Sequence, residues 1–258
     1  MIKTIFSYNV NGIRAALNKG FGEWLEVNSP DIMCIQETKA SDVQIDIPRF
    51  EYMGYHCFIH SAEKKGYSGV MTLSKEIPKN TTIGMGMHKY DSEGRVLRTD
   101  FSGFTLINVY IPSGTTGDIR QDFKMEFLAD FRKFIQNLRK EKENLIICGD
   151  YNICHKPIDI NHPEKHTNSS GFLPEERAWF DEFIHDGLVD TFRMFNSESE
   201  QYSWWSYRAN SRAKNLGWRI DYHLVTESLK DKIVNAGILK TAEHSDHCPV
   251  TLELNIQI

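Results

Sequence analysis

Long apolar runs are missing from this sequence. No stretch approaches the ~18 residues needed to cross a membrane, and the uncharged run from Phe101 to Gly117 is broken by Ser, Asn, Pro and Gly. The N-terminal MIKTIFSYNV carries one Lys and too short an apolar stretch to read as a secretory leader. A basic excess is missing too: 30 Lys and Arg against 35 Asp and Glu leave a net charge of −5. That excludes a generally basic nucleic-acid coat protein, but leaves room for a local basic groove. Cysteine is scarce. Cys34, Cys57, Cys148, Cys154 and Cys248 are odd in number and follow no pairing or metal-ligand spacing. Buried thiols in a reducing compartment are therefore expected, without disulfides or a thiolate metal site. These absences point to a cytoplasmic protein, nucleoid-associated if its source is bacterial.

No Pro-, Gly- or Ser-rich linker and no fixed repeat divides the 258 residues, so one domain over 1–258 is expected. With 40% hydrophobic and 25% charged residues, the chain can bury a core without staples, which rules out disorder and coiled coil. Short β-rich runs recur: Ile2–Ser7, Ile32–Gln36, Tyr55–His60, Gly69–Ser74, Val96–Phe101, Thr105–Ile111, Leu145–Cys148, Tyr222–Val225 and Val250–Leu254. Three helices are predicted. One lies near Gly22–Asn28, and one covers about Arg120–Lys142, with Phe123, Phe127, Phe131, Phe134 and Leu138 on one stripe. A third begins at Pro174 with Glu175 and Glu176 in its first turn. Many strands and few helices predict two packed sheets with helices outside and a site among the loops at one end.

The informative feature is how those runs end. They stop at Asn9 and Asn11, at Glu37, at Tyr110, at Asp150 and Asn152, at Asp221, and at Asp246 with His247. One Asp after a strand is usually a turn former or helix cap. Six such endings would gather hard oxygen ligands suited to Mg²⁺ or Mn²⁺ and unsuited to zinc. They would also supply an Asp–His pair, an Asn–Asp pair and a phenol. Phosphodiester hydrolysis needs that inventory: a neutralising cation, a base for water and donors around the phosphate.

The motifs YNVNGIRA (8–15), IQETK (35–39), NVYIPSG (108–114), GDYN (149–152), GFLPEER (171–177), NLGWRIDY (215–222) and SDHCPV (245–250) follow in order along the chain. With them the sequence resembles the exonuclease III family of apurinic/apyrimidinic (abasic-site) endonucleases, within the endonuclease/exonuclease/phosphatase superfamily. GDYN and SDH occur across the superfamily, whereas GFLPEER and GWRIDY are particular to its DNA-repair branch. The resemblance implies a four-layered α/β sandwich and a divalent-metal nuclease. By position it implies Glu37 as main metal ligand, with Asn11 and Asp246 close by. Asp150 matches the activator of the attacking water, held by Asn9 and Asn152. His247, oriented by Asp221, and Tyr110 match the groups that contact the phosphate. Two departures stand out: Asn11 replaces the Asp of the animal-type members, and Ser113 replaces an Asn. Glu37 shows no basic partner evident in sequence.

From Tyr202 to Ile220 there is no acid, while Arg208, Arg212, Lys214 and Arg219 are basic and Trp204, Trp205 and Trp218 cluster. Trp205 reads as core. For Trp204, Trp218 and Ile220 the resemblance implies a small box that admits an extruded abasic sugar and rejects a nucleotide. Arg208 is expected to insert beside the gap. The loop carrying Lys64 and Lys65 reads equally as a solvated hairpin tip or a phosphate contact, and Ser113 as a weakened phosphate contact. The expected function is a class II abasic-site endonuclease dependent on Mg²⁺, with Mn²⁺ as substitute. It would act as a monomer on duplex DNA bearing abasic sites or blocked 3′ ends, away from membranes, with related 3′-phosphodiesterase and 3′→5′ exonuclease activity. The rivals are a phosphoesterase for lipid or inositol substrates and a catalytically silent nucleic-acid-binding regulator.

Overall fold

The computed structural model describes residues 1–256, so the expected unit of 1–258 includes two residues, 257 and 258, outside the described range. Two six-stranded sheets carry the architecture. The first holds β1 (Ile2–Asn9), β2 (Ile32–Gln36), β3 (His56–His60), β4 (Val70–Ser74), β13 (Ile233–Ile238) and β14 (Val250–Asn255), in the order β13-β14-β1-β2-β4-β3. The second holds β5 (Asn80–Ile83), β6 (Val96–Asp100), β7 (Thr105–Tyr110), β8 (Leu145–Asp150), β9 (Leu188–Asp190) and β12 (Asp221–Thr226), in the order β5-β6-β7-β8-β12-β9. A short ribbon pairs β10 (Trp204–Trp205) with β11 (Gly217–Trp218).

β2 and β8 are buried at every residue. A strand covered on both faces has no polar side to alternate with, so IMCIQ and LIICGD read as near-continuous apolar runs. Ile5, Ile32, Cys34 and Leu252 of the first sheet meet Leu106, Ile146, Cys148 and Val225 of the second. Outside the first sheet, Ile13, Phe21, Leu25 and Phe50 pack from the helices Ile13–Asn18, Phe21–Asn28 and Ile47–Tyr52. Outside the second, Phe127, Phe131, Leu138, Phe180 and Phe183 pack from Asp118–Leu138 and Pro174–His185, each contributing about 1.5–3 kcal/mol of burial. Helix, sheet, sheet and helix make the expected four-layered α/β sandwich.

In the two large sheets the strands that the apolar-run reading did not find, β5, β9 and β13, are all edges, and it also passed over the two-residue strands β10 and β11. β5 and β13 are largely exposed or half-exposed, so burial leaves little pattern in them. The additional helices have only 4–6 residues, too few for a 3.6-residue period to show. The long helix begins two residues earlier than expected, at Asp118, and ends at Leu138, ahead of the charged 139–142 segment.

Register brings the polar endings to one rim. In the parallel pair β7–β8, Tyr110 stands opposite Asp150, and across β8–β12 Asp150 stands opposite Asp221. On the other sheet Asn9 stands opposite Gln36, one residue before Glu37. Gly149 makes the approach to Asp150 possible: its φ is +144°, and a Cβ there would lie 1.8 Å from the Val109 carbonyl oxygen. Behind the rim, Gln36 Nε2 donates to Ser7 Oγ (3.0 Å) and Asn108 Oδ1 (2.8 Å), and Asn108 Nδ2 donates to the Met71 carbonyl (2.9 Å). These buried bonds tie the two sheets together beneath the site.

Candidate active site

A cavity of about 970 Å³ opens at this rim. Asn9 spans the two sheets: its Nδ2 donates to Glu37 Oε1 and to Asp150 Oδ2, each at 2.8 Å. The other oxygen of Asp150 accepts the Asn152 backbone N–H at 2.8 Å, and Asn152 Nδ2 donates to the Ile111 carbonyl. His247 Nδ1 sits 2.9 Å from Asp221 Oδ2, which also accepts Ser203 Oγ at 2.6 Å. His247 Nε2 lies 3.8 Å from Asp150 Oδ2. Asn11, Glu37 and Asn152 all hold φ near +50°, a left-handed conformation that asparagine tolerates and glutamate adopts rarely.

The electrostatics follow from burial and charge. Burial pushes the Asp150 carboxyl up to about 7; His247 opposes this, while Asp221 and Glu37 add to it. Burial alone would lower His247, but the Asp221 charge and hydrogen bond, with Asp150 and Asp246, push it up to about 10. The imidazole is therefore cationic at neutral pH. Glu37 is held below the usual carboxylate range: burial works against this, and Lys39, Asn9 and His247 outweigh it. Burial and the nearby Glu37 charge raise the Tyr110 phenol well above its ordinary value, so it remains protonated and able to donate.

All the acids, amides and the phenol read from sequence meet here. Donor atoms of Glu37, Asp150 and His247 lie within 4.8 Å of one another. Asp246 lies outside that trio, with its oxygens accepting from Trp204 Nε1 (3.0 Å), Asn11 Nδ2 (3.0 Å) and Ser245 Oγ (3.1 Å). The expectation that Glu37 lacks a basic partner is corrected: Lys39 Nζ lies 2.7 Å from its Oε2, the backbone after β2 taking left-handed φ at both Glu37 and Lys39. Lys39 is the last residue of IQETK, but charge in a motif does not show which way a side chain turns.

Trp204 and Trp218 pair across the ribbon, ring centroids 5.9 Å apart at 84°, and with Ile220 they line the cavity. Cys154, Ile160 and Phe172 back them. Trp205 is core, packed with Tyr202 and Cys248, as expected. His166 was missed; it stands edge-on to Trp218 at 5.0 Å and lines the cavity, from a loop with no periodicity to reveal it. Ser113 lines the cavity, whereas Arg208 and Lys64 are exposed and lie off its wall, Lys64 over the Tyr67 ring. The basic stretch is also less free than its sequence implies. Arg219 is buried against Asp159 and Asp190, and Arg212 donates to the carbonyls of Lys240, Ala242 and Ser245. These two arginines staple the segment in place, Arg219 fully buried and Arg212 half-buried.

The chain is 41% identical over 254 residues to an exodeoxyribonuclease of Bacillus subtilis (strain 168), covering 98% of this chain and 99% of that protein. Its fold matches an AP endonuclease from Archaeoglobus fulgidus with a TM-score of 0.90 and 29% identity, over 98% of this chain and 99% of that one. A 3′ phosphatase from Neisseria, solved bound to product DNA hairpin, matches with a TM-score of 0.89 and 28% identity over the same shares. Residues 6–247 match the Endonuclease/Exonuclease/phosphatase family, and with that span on this fold the chain belongs to that family.

Proposed function

We propose that the protein is a class II abasic-site endonuclease. It hydrolyses the phosphodiester 5′ to a missing base and leaves 3′-hydroxyl and 5′-deoxyribose phosphate ends. The observation that carries this reading is the Asp150–Asn9–Glu37 and His247–Asp221 constellation on the floor of a cavity whose wall is the Trp204–Trp218–Ile220 box. Asp150 accepts a proton from water as its oxygen attacks phosphorus, the P–O3′ bond breaks and the departing 3′ oxygen takes up a proton to become the 3′-hydroxyl; the Asp150 pKa near 7 suits a base at neutral pH. The His247 imidazolium and the Tyr110 phenol donate to phosphoryl oxygens as negative charge gathers on them. Asp221, itself held by Ser203, orients His247. The box receives the baseless sugar, and extrusion costs least where no base is left to unstack.

The residues fit a divalent cation, since Glu37 Oε2 and Asn11 Oδ1 already converge on one cationic nitrogen, that of Lys39. Hard oxygens favour Mg²⁺ with Mn²⁺ as substitute; Glu37 would be the main ligand, with Asn11 and Asp246 close by and Asp150 also in reach. Bound there, the metal supplies charge neutralisation at the phosphate. The relatives' names support a second activity at the same site, trimming of blocked 3′ ends as phosphodiesterase or 3′→5′ exonuclease. We also assign duplex DNA as partner, a monomer as the working unit and the cytoplasm as its compartment; five unbridged cysteines suit a reducing environment. Incision of a duplex carrying one tetrahydrofuran abasic analogue is the test. Cleavage 5′ to the analogue with Mg²⁺ and none with EDTA is expected; failure to incise while 3′ ends are still trimmed would overturn the endonuclease reading.

A further inference from the structure

Among the described residues on the cavity wall, Lys39 is the only lysine or arginine, set against the carboxylates of Glu37, Asp118, Asp150, Glu175 and Asp246. Its ammonium lies 2.7 Å from Glu37 Oε2 and donates to Asn11 Oδ1. The partner atoms of both side chains are already engaged elsewhere. Glu37 Oε1 accepts from Asn9 Nδ2 at 2.8 Å, and Asn11 Nδ2 donates to Asp246 Oδ1 at 3.0 Å. Asn9 and Asp246 thus turn one free oxygen of each residue toward the same point, and the ammonium is what meets them there.

The frame around that point is stiff. The 37–39 segment is bonded on both sides by main chain: Gly12 N to Glu37 O (2.7 Å), Ile13 N to Thr38 O (2.9 Å), Thr38 N to Gly69 O (3.1 Å) and Lys39 N to Ser68 O (2.8 Å). Asn11, Glu37 and Lys39 have φ of +48°, +52° and +48°, held by those bonds. The oxygens are therefore fixed by backbone, while the ammonium hangs on a flexible four-carbon stem that is 35% exposed. Asn11 is neutral, so the Glu37–Lys39 pair is balanced before any metal arrives.

We propose that Lys39 is the resident counter-ion of the divalent-metal position. Its ammonium keeps Glu37 and Asn11 aimed at one point, and it must leave those oxygens for a divalent cation to take them, since two cations cannot share them without repulsion. Metal affinity is then set partly by this internal competitor, and metal entry frees this cavity-wall lysine to face substrate phosphate. The inference rests on the metal assignment made under the proposed function.

Mn²⁺ binding to the DNA-free protein, read from the electron paramagnetic resonance of unbound Mn²⁺, tests it without turnover. Lys39→Met and Lys39→Gln are expected to bind Mn²⁺ roughly tenfold more tightly than wild type, within the range of ordinary coupling between two ligands, and Lys39→Arg within about threefold of wild type. Lys39→Gln keeps a polar side chain at the position and serves should Lys39→Met fold poorly. Unchanged or weaker Mn²⁺ binding in the folded Lys39 variants, with binding still lost in Glu37→Gln, overturns the counter-ion role and leaves the metal site standing. Wild-type Mn²⁺ affinity in Glu37→Gln sinks the metal assignment itself, and the inference with it.

Discussion

On the floor of the cavity Tyr110, Asp150 and Asp221 stand side by side on three adjacent strands; on its wall Trp204 and Trp218 face each other across a ribbon of two residues per strand. The floor is held by β register in strands of six residues, and its polar groups hold one another across both sheets. The wall is held by side chains that staple a long excursion: Arg212 to three carbonyls, Asn215 to Trp205, and Arg219 to Asp159 and Asp190. A near-isosteric change on the floor therefore removes chemistry and keeps shape, whereas a change on the wall alters shape and keeps chemistry.

The largest expected effects come from the floor. Asp150→Asn and His247→Asn should each lower kcat by at least ~10²-fold, about 2.7 kcal/mol, with DNA affinity retained. Glu37→Gln should act as strongly at limiting Mg²⁺ while the fold is kept. Single-turnover kinetics beside equilibrium DNA binding separates the cases. A variant that loses binding in step with turnover would mean that the residue positions substrate, and the contrast between floor and wall would fail there.

Beneath the wall, burial would raise Asp159, but Arg219 and Arg193 hold it below the usual carboxylate range. Its folded pKa is thus below its unfolded one, so the stability it contributes is full above the unfolded value near 3.9 and is lost as pH falls through the folded value. Asp159→Asn should cost roughly 2 kcal/mol at pH 7 and flatten the acid limb of stability below about pH 4. Urea melts across that range check it; an acid limb as steep as wild type's would remove Asp159 from the account.

Smaller again is the effect of the box itself. Trp218→Ala should reduce the kcat/KM ratio for abasic over intact duplex about tenfold, in line with one lost aromatic wall, while trimming of a 3′-phosphoglycolate end falls less. An unchanged ratio in the folded variant would make Trp218 plain core. The smallest change is expected from Arg208, exposed at the turn beyond Trp204: Arg208→Ala should reduce the salt dependence of binding by about one unit of log slope if it meets a phosphate. An unaltered slope would mean that Arg208 meets no phosphate.

The sequence by itself determined the strands buried on both faces, the long Phe-lined helix, and the set of acids, amides and histidine at strand ends. Burial on two faces and a 3.6-residue stripe are patterns that a chain must spell out locally. It left β5, β9 and β13 unread, because the exposed edges β5 and β13 demand no apolar run and β9 has only three residues. Tertiary structure alone decided the pairings: that Asn9 reaches both Glu37 and Asp150 from residues 28 and 141 positions away, that Lys39 folds back onto Glu37, and that His166 closes on Trp218. It also decided that Arg212 and Arg219 are inward staples, a distinction that composition cannot make because a buried paired arginine and an exposed one are spelled alike. Which residue types a site needs is local chemistry; which atoms meet is set by the register of two sheets closing on each other.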